Sequence, residues 1–343
     1  MNQLANDDSP PQLAGLAYEH KSRSPLAPWL PMLRLMRLPN VFTALADVLM
    51  GFVFARHSFS PGGALACLVL ASGLLYTAGM ILNDVFDLEI DRIERPKRPL
   101  PSGQIAVAQA WALGFVMLLL GVGFGWLAGY LYQRDAQPPI VYPWRSGAIA
   151  TALAAAVLLY DGILKGSWLG PLSMGLCRSL NVLLGMSLAG PTPAGEATLY
   201  LQFTLAQTIV AAGLGLYVVG VTVYAKSEAE QSNTGRLLFG VLIMCGGIAL
   251  LGLAANFTTL VFKQNLIYWA LLGMLAATIV RRAISAAFDG SPAAVQGAVK
   301  HAILSIIMLD AAVCVASAPT VYGIVVVALL APALLLGKWV YST

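Results

Sequence analysis

Apolar runs of about 20 residues follow one another along nearly the whole chain, and no other feature restricts the fold so strongly. Each is long enough to cross a hydrocarbon layer of about 30 Å as a helix. Inside that layer every backbone N–H and C=O must find its partner within the protein, so only helices and closed barrels can span it. Barrel strands are shorter and alternate in polarity, which these runs do not. The chain therefore reads as an all-α membrane protein. The predicted spans are 41–56, 62–82, 105–131, 147–161, 168–189, 203–224, 237–254, 266–282, 299–316 and 320–338. The last two are short and joined by Ala318-Pro319-Thr320, so the count is nine or ten. Composition agrees: 58% of the 343 residues are hydrophobic and 10% charged, against about 45–50% and about 25% in soluble domains.

The basic residues orient the spans. With a cytoplasmic N-terminus, the even-numbered connections are cytoplasmic as well. That side then carries Arg92, Arg95, Lys97, Arg98, Lys165, Lys226, Arg236, Arg281, Arg282 and Lys300, while the other keeps Arg56, Arg134, Arg145 and Lys263. Such an asymmetry is the positive-inside pattern, and the expectation is a bacterial inner-membrane protein with its acidic loops in the cytoplasm. Residues 1–30 open with Asp7, Asp8, Pro10 and Pro11 and have no basic start followed by an apolar core. They are expected to form a disordered or surface-lying tail rather than a secretory leader, ahead of a membrane domain over 31–343. The four cysteines all lie in apolar runs and suggest neither disulfides nor a metal cluster.

Charge is concentrated in ILNDVFDLEIDRIERPKRPLPSG (81–103). Asp84, Asp87 and Asp91 are spaced i, i+3, i+7, which places them on one face of a helix with about 3.6 residues per turn, bordered by Asn83. Carboxylates stacked in this way need a cation between them. Magnesium suits, because it takes one or two carboxylates and completes its shell with water and substrate phosphates. Arg92, Arg95, Lys97 and Arg98 follow at once, placed to hold phosphate oxygens. Pro96, Pro99 and Pro101 stiffen the loop that carries them. The plain alternative is a solvated juxtamembrane loop whose charges pair with one another.

These residues resemble the UbiA-type intramembrane prenyltransferases. Asn83-Asp84-x-x-Asp87-x-x-x-Asp91 matches that family's NDxxDxxxD motif, and Arg95–Gly103 matches the basic, proline-rich tail that follows it. Met36–Gly51, with Arg37 and Asn40, resembles the start of the family's first helix, and Tyr160–Lys165 resembles a Tyr…Lys pair at the end of the fourth. Leu176–Ser187 is similar to the EboC-type branch. The resemblance implies a helical bundle around a central cavity, binding magnesium and a prenyl diphosphate. A small-molecule acceptor, aromatic or lipid-like, would then take the prenyl group. The implied partners are these molecules and the bilayer, not nucleic acid. By this resemblance Asp84, Asp87 and Asp91 hold the metal, Asn83 assists, and Tyr160 lends its ring face to a developing carbocation. Arg92, Arg95, Lys97, Lys165 and Lys226 are candidate diphosphate contacts, and Arg37, Asn40, Arg178 and Asn181 candidate substrate contacts.

The family's second acidic motif is of DxxxD type. Here the matching segment, Tyr224–Ser232, has Glu228 for the first aspartate and Ser232 for the last. Glu228 is the expected second metal ligand and Lys226 a substitute cation. The same departure leaves open a non-catalytic relative that binds or moves a hydrophobic metabolite or isoprenoid. Three charges fall within spans, where each costs about 3 kcal/mol or more unless partnered. Asp47 and Arg178 are expected to pair, with Asn181 sharing their polar face. Asp310 has no evident partner, since Lys300 and His301 lie at another depth, and it is expected to be structural.

Overall fold

The computed structural model describes residues 29–134, 136–190, 198–226, 233–257 and 266–340. Helices α1 (Leu30–Leu35) and α2 (Leu38–Arg56) lead into α3 (Gly62–Phe86) and α4 (Leu88–Glu94). The order continues with α5 (Val107–Leu131), α6 (Trp144–Leu159), α7 (Gly170–Met186), α8 (Leu205–Lys226) and α9 (Thr234–Ala254). The last four are α10 (Leu266–Asp289), α11 (Pro292–Ser317), α12 (Thr320–Ala328) and α13 (Leu330–Trp339). Among the described residues, nine helical segments are long and apolar enough to cross a membrane: α2, α3, α5, α6 with the turn after it, α8, α9, α10, α11, and α12 with α13 as one broken span. Helix α7, too short for that set, lies within the bundle as well. Its 17 residues pack against α2, α6 and α8 inside the bundle, and a helix that long reaches about 25 Å.

Apolarity located the spans but not their ends. Helix α3 runs on into the acidic stretch, and α10 and α11 extend the bundle with segments 283–289 and 292–298. The hydrocarbon layer selects for apolar side chains, whereas backbone hydrogen bonding continues past it into water. The lipid-facing surface is apolar too: Phe115, Val116, Leu119, Leu120 and Leu127 of α5 all point outward.

Helices α2, α3, α6, α7, α8 and α11 enclose a cavity. Two glycines bring α2 and α7 into backbone contact. A methyl group on Gly51 would stand 2.7 Å from Val182 O, and one on Gly185 would stand 2.6 Å from Val48 O, so only glycine permits this crossing. Buried tyrosines fasten the second half, with Tyr217 donating to Ala302 O at 2.9 Å and Tyr224 to Ala283 O at 2.8 Å. The carboxy-terminal ends of α3, α6 and α8 gather at one end of the bundle beside the start of α2, and that end is the mouth of the cavity.

Candidate functional site

The cavity has a volume of about 460 Å³, within the range usual for small-molecule sites. Its walls are aliphatic, from Leu75 and Met80 of α3, Leu153 and Val157 of α6, Val218 of α8 and Ile303 of α11. Its mouth is ringed by Arg37, Asn83, Asp87, Arg95, Arg98, Tyr160, Asp161 and Lys165. The mouth thus offers charge and the walls offer hydrocarbon, with Thr43, Arg178 and Asn181 as a polar patch at the inner end.

Local chain geometry places the ring. Arg37 sits between α1 and α2 in the left-handed region, at φ 44° and ψ 46°, which costs a non-glycine residue energy that its surroundings must supply. Its Nη2 donates to Asp84 Oδ1 at 2.7 Å, tying the start of α2 to the end of α3. The segment after α4 curls back on itself, with Ser102 N donating to Arg98 O and Gln104 N to Pro99 O. This turn buries Leu100 and carries the Arg98 guanidinium inward. Arg98 Nη1 then meets Asp91 Oδ2 at 2.6 Å and Asp84 Oδ1 at 3.5 Å. At the end of α6 a π-turn over Tyr160–Leu164 closes with Lys165 N donating to Tyr160 O. In an α-helix residues five apart point to different sides; the wider turn lets Tyr160 and Lys165 both face the cavity. Lys165 Nζ pairs with Asp87 Oδ2, and Asn83 Nδ2 donates to Asp161 Oδ1 at 2.8 Å.

The three motif aspartates sit at different depths around the cavity mouth. Helix α3 stops at Phe86, Asp87 forms the joint at φ −84° and ψ 1°, and α4 starts afresh at Leu88. The carboxylates diverge accordingly. Asp87 lines the cavity, whereas Asp84 and Asp91 are buried behind it against Arg37 and Arg98. Among the described residues no three His, Cys, Asp or Glu side chains come together as a metal set. One oxygen of each buried aspartate, Asp84 Oδ1 and Asp91 Oδ2, is paired with a guanidinium group.

Other expected residues divide in the same way. Arg92 points outward and pairs with Glu89 at 2.7 Å, both exposed, and Lys97 is exposed and absent from the cavity lining. Arg37, Asn40, Asn83, Arg95, Tyr160 and Lys165 do line it. Lys226 lies over the α6–α7 turn, near Lys165 O at 3.4 Å and Ser167 O at 3.3 Å, without lining the cavity. Arg178 and Asn181 line its inner end but are occupied with Asp47, at 2.5 Å and 2.8 Å to Oδ2. The Asp47–Arg178 pair is therefore as expected. Asp310 departs from expectation, since it has Asp47 as its neighbour. Glu228 and Ser232 lie outside the described residues, as does the N-terminal tail through residue 28. Asp161, which follows Tyr160 in the sequence and is expected to ring the site with it, also lines the mouth. Its signal is its place beside Tyr160 at the end of a span, and spacing alone does not show that it meets Asn83.

Comparison with known proteins agrees with this architecture. The model of the UbiA prenyltransferase family matches residues 44–298. A digeranylgeranylglyceryl phosphate synthase of Metallosphaera sedula is 34% identical over 155 residues, covering 40% of this chain and 54% of that protein. The chain thus spans about half the length of the curated relatives it matches. A solved structure of digeranylgeranylglyceryl phosphate synthase superposes with a TM-score of 0.59 at 18% identity, over 84% of this chain and 98% of that one. A UbiA homolog from Archaeoglobus fulgidus bound to DMAPP and Mg2+ gives 0.51 at 14% identity, over 86% of this chain and 98% of its own. At these identities the likeness is one of fold.

Proposed function

This chain belongs to the UbiA prenyltransferase family, and from that premise we propose that it transfers a prenyl group from a prenyl diphosphate to an aromatic or lipid-like acceptor within the membrane. The observation that carries the reading is the division of the cavity between a charged mouth and aliphatic walls. A prenyl diphosphate is divided in the same way.

The residues of the mouth fit a magnesium ion that arrives with its diphosphate. Asp87 and Asp161 supply two carboxylates on the cavity surface and Asn83 an amide oxygen, with phosphate oxygens completing the shell. Magnesium, when bound, neutralises charge on the diphosphate and makes it a better leaving group. Lys165, Arg95, Arg37 and Arg98 add fixed positive charge around the same oxygens. Asp84 and Asp91 act one step back, holding Arg37 and Arg98 in place. Tyr160 presents a ring at the boundary between mouth and interior, where an allylic cation would form. The aliphatic walls keep water from that cation. Lys226, at the end of α8, would add positive charge beside the mouth, and Glu228 is the proposed further magnesium ligand. The positive-inside distribution turns the mouth to the cytoplasm, and residues 31–343 serve as one membrane domain.

The replacement of the second motif's last aspartate by Ser232 favours a second reading: binding and carriage of an isoprenoid without turnover. Purified protein in nanodiscs, given magnesium and radiolabelled prenyl diphosphates with a membrane-lipid extract as acceptor source, separates the two. Prenylated product with release of diphosphate supports transfer. Magnesium-dependent binding without release supports carriage, and absence of binding removes both.

A further inference from the structure

Beneath the cavity floor lies a cluster that the proposed transfer does not use. Asp47 and Asp310 are both 0% exposed, one on α2 and the other on α11, inside the membrane-spanning bundle. Asp47 Oδ2 accepts from Arg178 Nη1 at 2.5 Å and from Asn181 Nδ2 at 2.8 Å. Asn181 is itself fully committed, with Nδ2 also donating to Ala44 O and Oδ1 accepting from Ser72 Oγ. Arg178 Nη2 goes to Thr43 Oγ1 at 3.1 Å. Three carboxylate oxygens then have no hydrogen-bond donor: Asp47 Oδ1 and both oxygens of Asp310. The two carboxyl groups lie within hydrogen-bonding reach of each other.

Two ionised carboxylates at this separation have only lone pairs to offer each other, and they repel. The other titratable groups facing the cluster do not relieve it. Tyr217 of α8 has its hydroxyl on Ala302 O, while Tyr76 of α3 and Cys314 of α11 carry no positive charge. Arg178 is the one cation that both carboxyl groups face among the described residues. Its single positive charge against two negative ones leaves a net negative charge in an apolar bundle, where isolated charge is strongly disfavoured. One proton resolves both problems: it turns a repulsive contact into an O–H···O hydrogen bond and makes the cluster neutral. A metal cation would need more oxygens than the three that lack partners.

We propose that Asp47 and Asp310 bind one proton between them, as a carboxyl–carboxylate pair held against Arg178. The proton belongs to the pair rather than to either residue. It joins α2 to α11 just below the cavity. Thr43 and Ala44 precede Asp47 by one turn and Ile306 precedes Asp310 by one turn, and all three line the cavity.

Infrared spectroscopy of the purified protein in nanodiscs at neutral pH tests this. The wild type should show the C=O stretch of a protonated carboxyl group, moved by deuterium oxide and by selective carbon-13 labelling of aspartate. Asp310→Asn and Asp47→Asn should each abolish that band while the protein stays folded, because an asparagine amide donates the same hydrogen bond and leaves one carboxylate facing Arg178. A labelled wild type without the band decides against the proposal even where a variant does not fold. Absence of the band overturns the proposal, as does its persistence in both asparagine variants, which would place the proton on another carboxyl such as Asp161. A band that appears only when sodium is withdrawn overturns it as well, by showing that a metal cation occupies the pair.

Discussion

The two ends of the bundle both bury arginines, and they treat them in opposite ways. At the mouth, Arg98 faces Asp84 and Asp91, Arg37 faces Asp84, and the pairs border a cavity. At the far end, Arg145 is 1% exposed. It is held by carbonyls, with Nε donating to Ser187 O at 2.7 Å and Nη1 to Gln202 O at 3.0 Å. Tyr142 and Phe203 flank it, at 5.4 Å and 4.5 Å from their ring centroids. Arg56 similarly donates to Ser60 O, Leu188 O and Pro138 O. Carbonyls offer partial charge and fix loops, so these guanidinium groups close the bundle. Carboxylates offer full charge beside a cavity, so those at the mouth can hold cations ready for an anionic ligand. The partner, more than the arginine, separates a structural role from a site.

Substitutions should divide along that line. The largest effect is expected for Arg98→Ala, which strands Asp91 in a buried setting and leaves Asp84 with Arg37 alone. Prenyl transfer should fall at least ~100-fold, as for loss of a positioned charge in an active site, and the thermal midpoint should fall with it. Intact transfer in this variant would separate the mouth from the chemistry. Next comes Arg145→Ala, which should cost about 3 kcal/mol or more of stability because several charge-assisted hydrogen bonds are lost together. Its transfer rate per folded molecule should match the wild type. A selective loss of rate would show that the far end takes part in the chemistry. Gly51→Ala forces α2 and α7 apart and should cost about 1–3 kcal/mol, read as a lower melting temperature in detergent. The smallest effect is expected for Arg92→Ala. It removes an exposed pair worth less than about 1 kcal/mol and should leave both rate and stability unchanged.

Much of this was legible in the chain itself. Apolar runs placed every span, and the Asp47–Arg178 pairing followed from the cost of charge in hydrocarbon. The acidic motif marked the right end of the bundle. Which of its aspartates faces the cavity was not legible, because spacing does not show the joint at Asp87 or the arginines packed behind it. The placement of Arg98 depends on the turn after α4, whose only sequence cue is Leu100, a lone apolar residue between prolines. The meeting of Asp161 with Asn83, and of Asp310 with Asp47, joins residues far apart in sequence that no periodicity connects.

The central claim, that the carboxylate-paired mouth carries the chemistry, is tested most directly by magnesium-dependent prenyl transfer in Asp87→Ala. This change removes the motif aspartate that faces the cavity and leaves the Asp84 and Asp91 anchors in place. The expected result is a protein that melts close to the wild type and forms no prenylated product at any magnesium concentration. Product formation at the wild-type rate, with the same dependence on magnesium, would contradict the account.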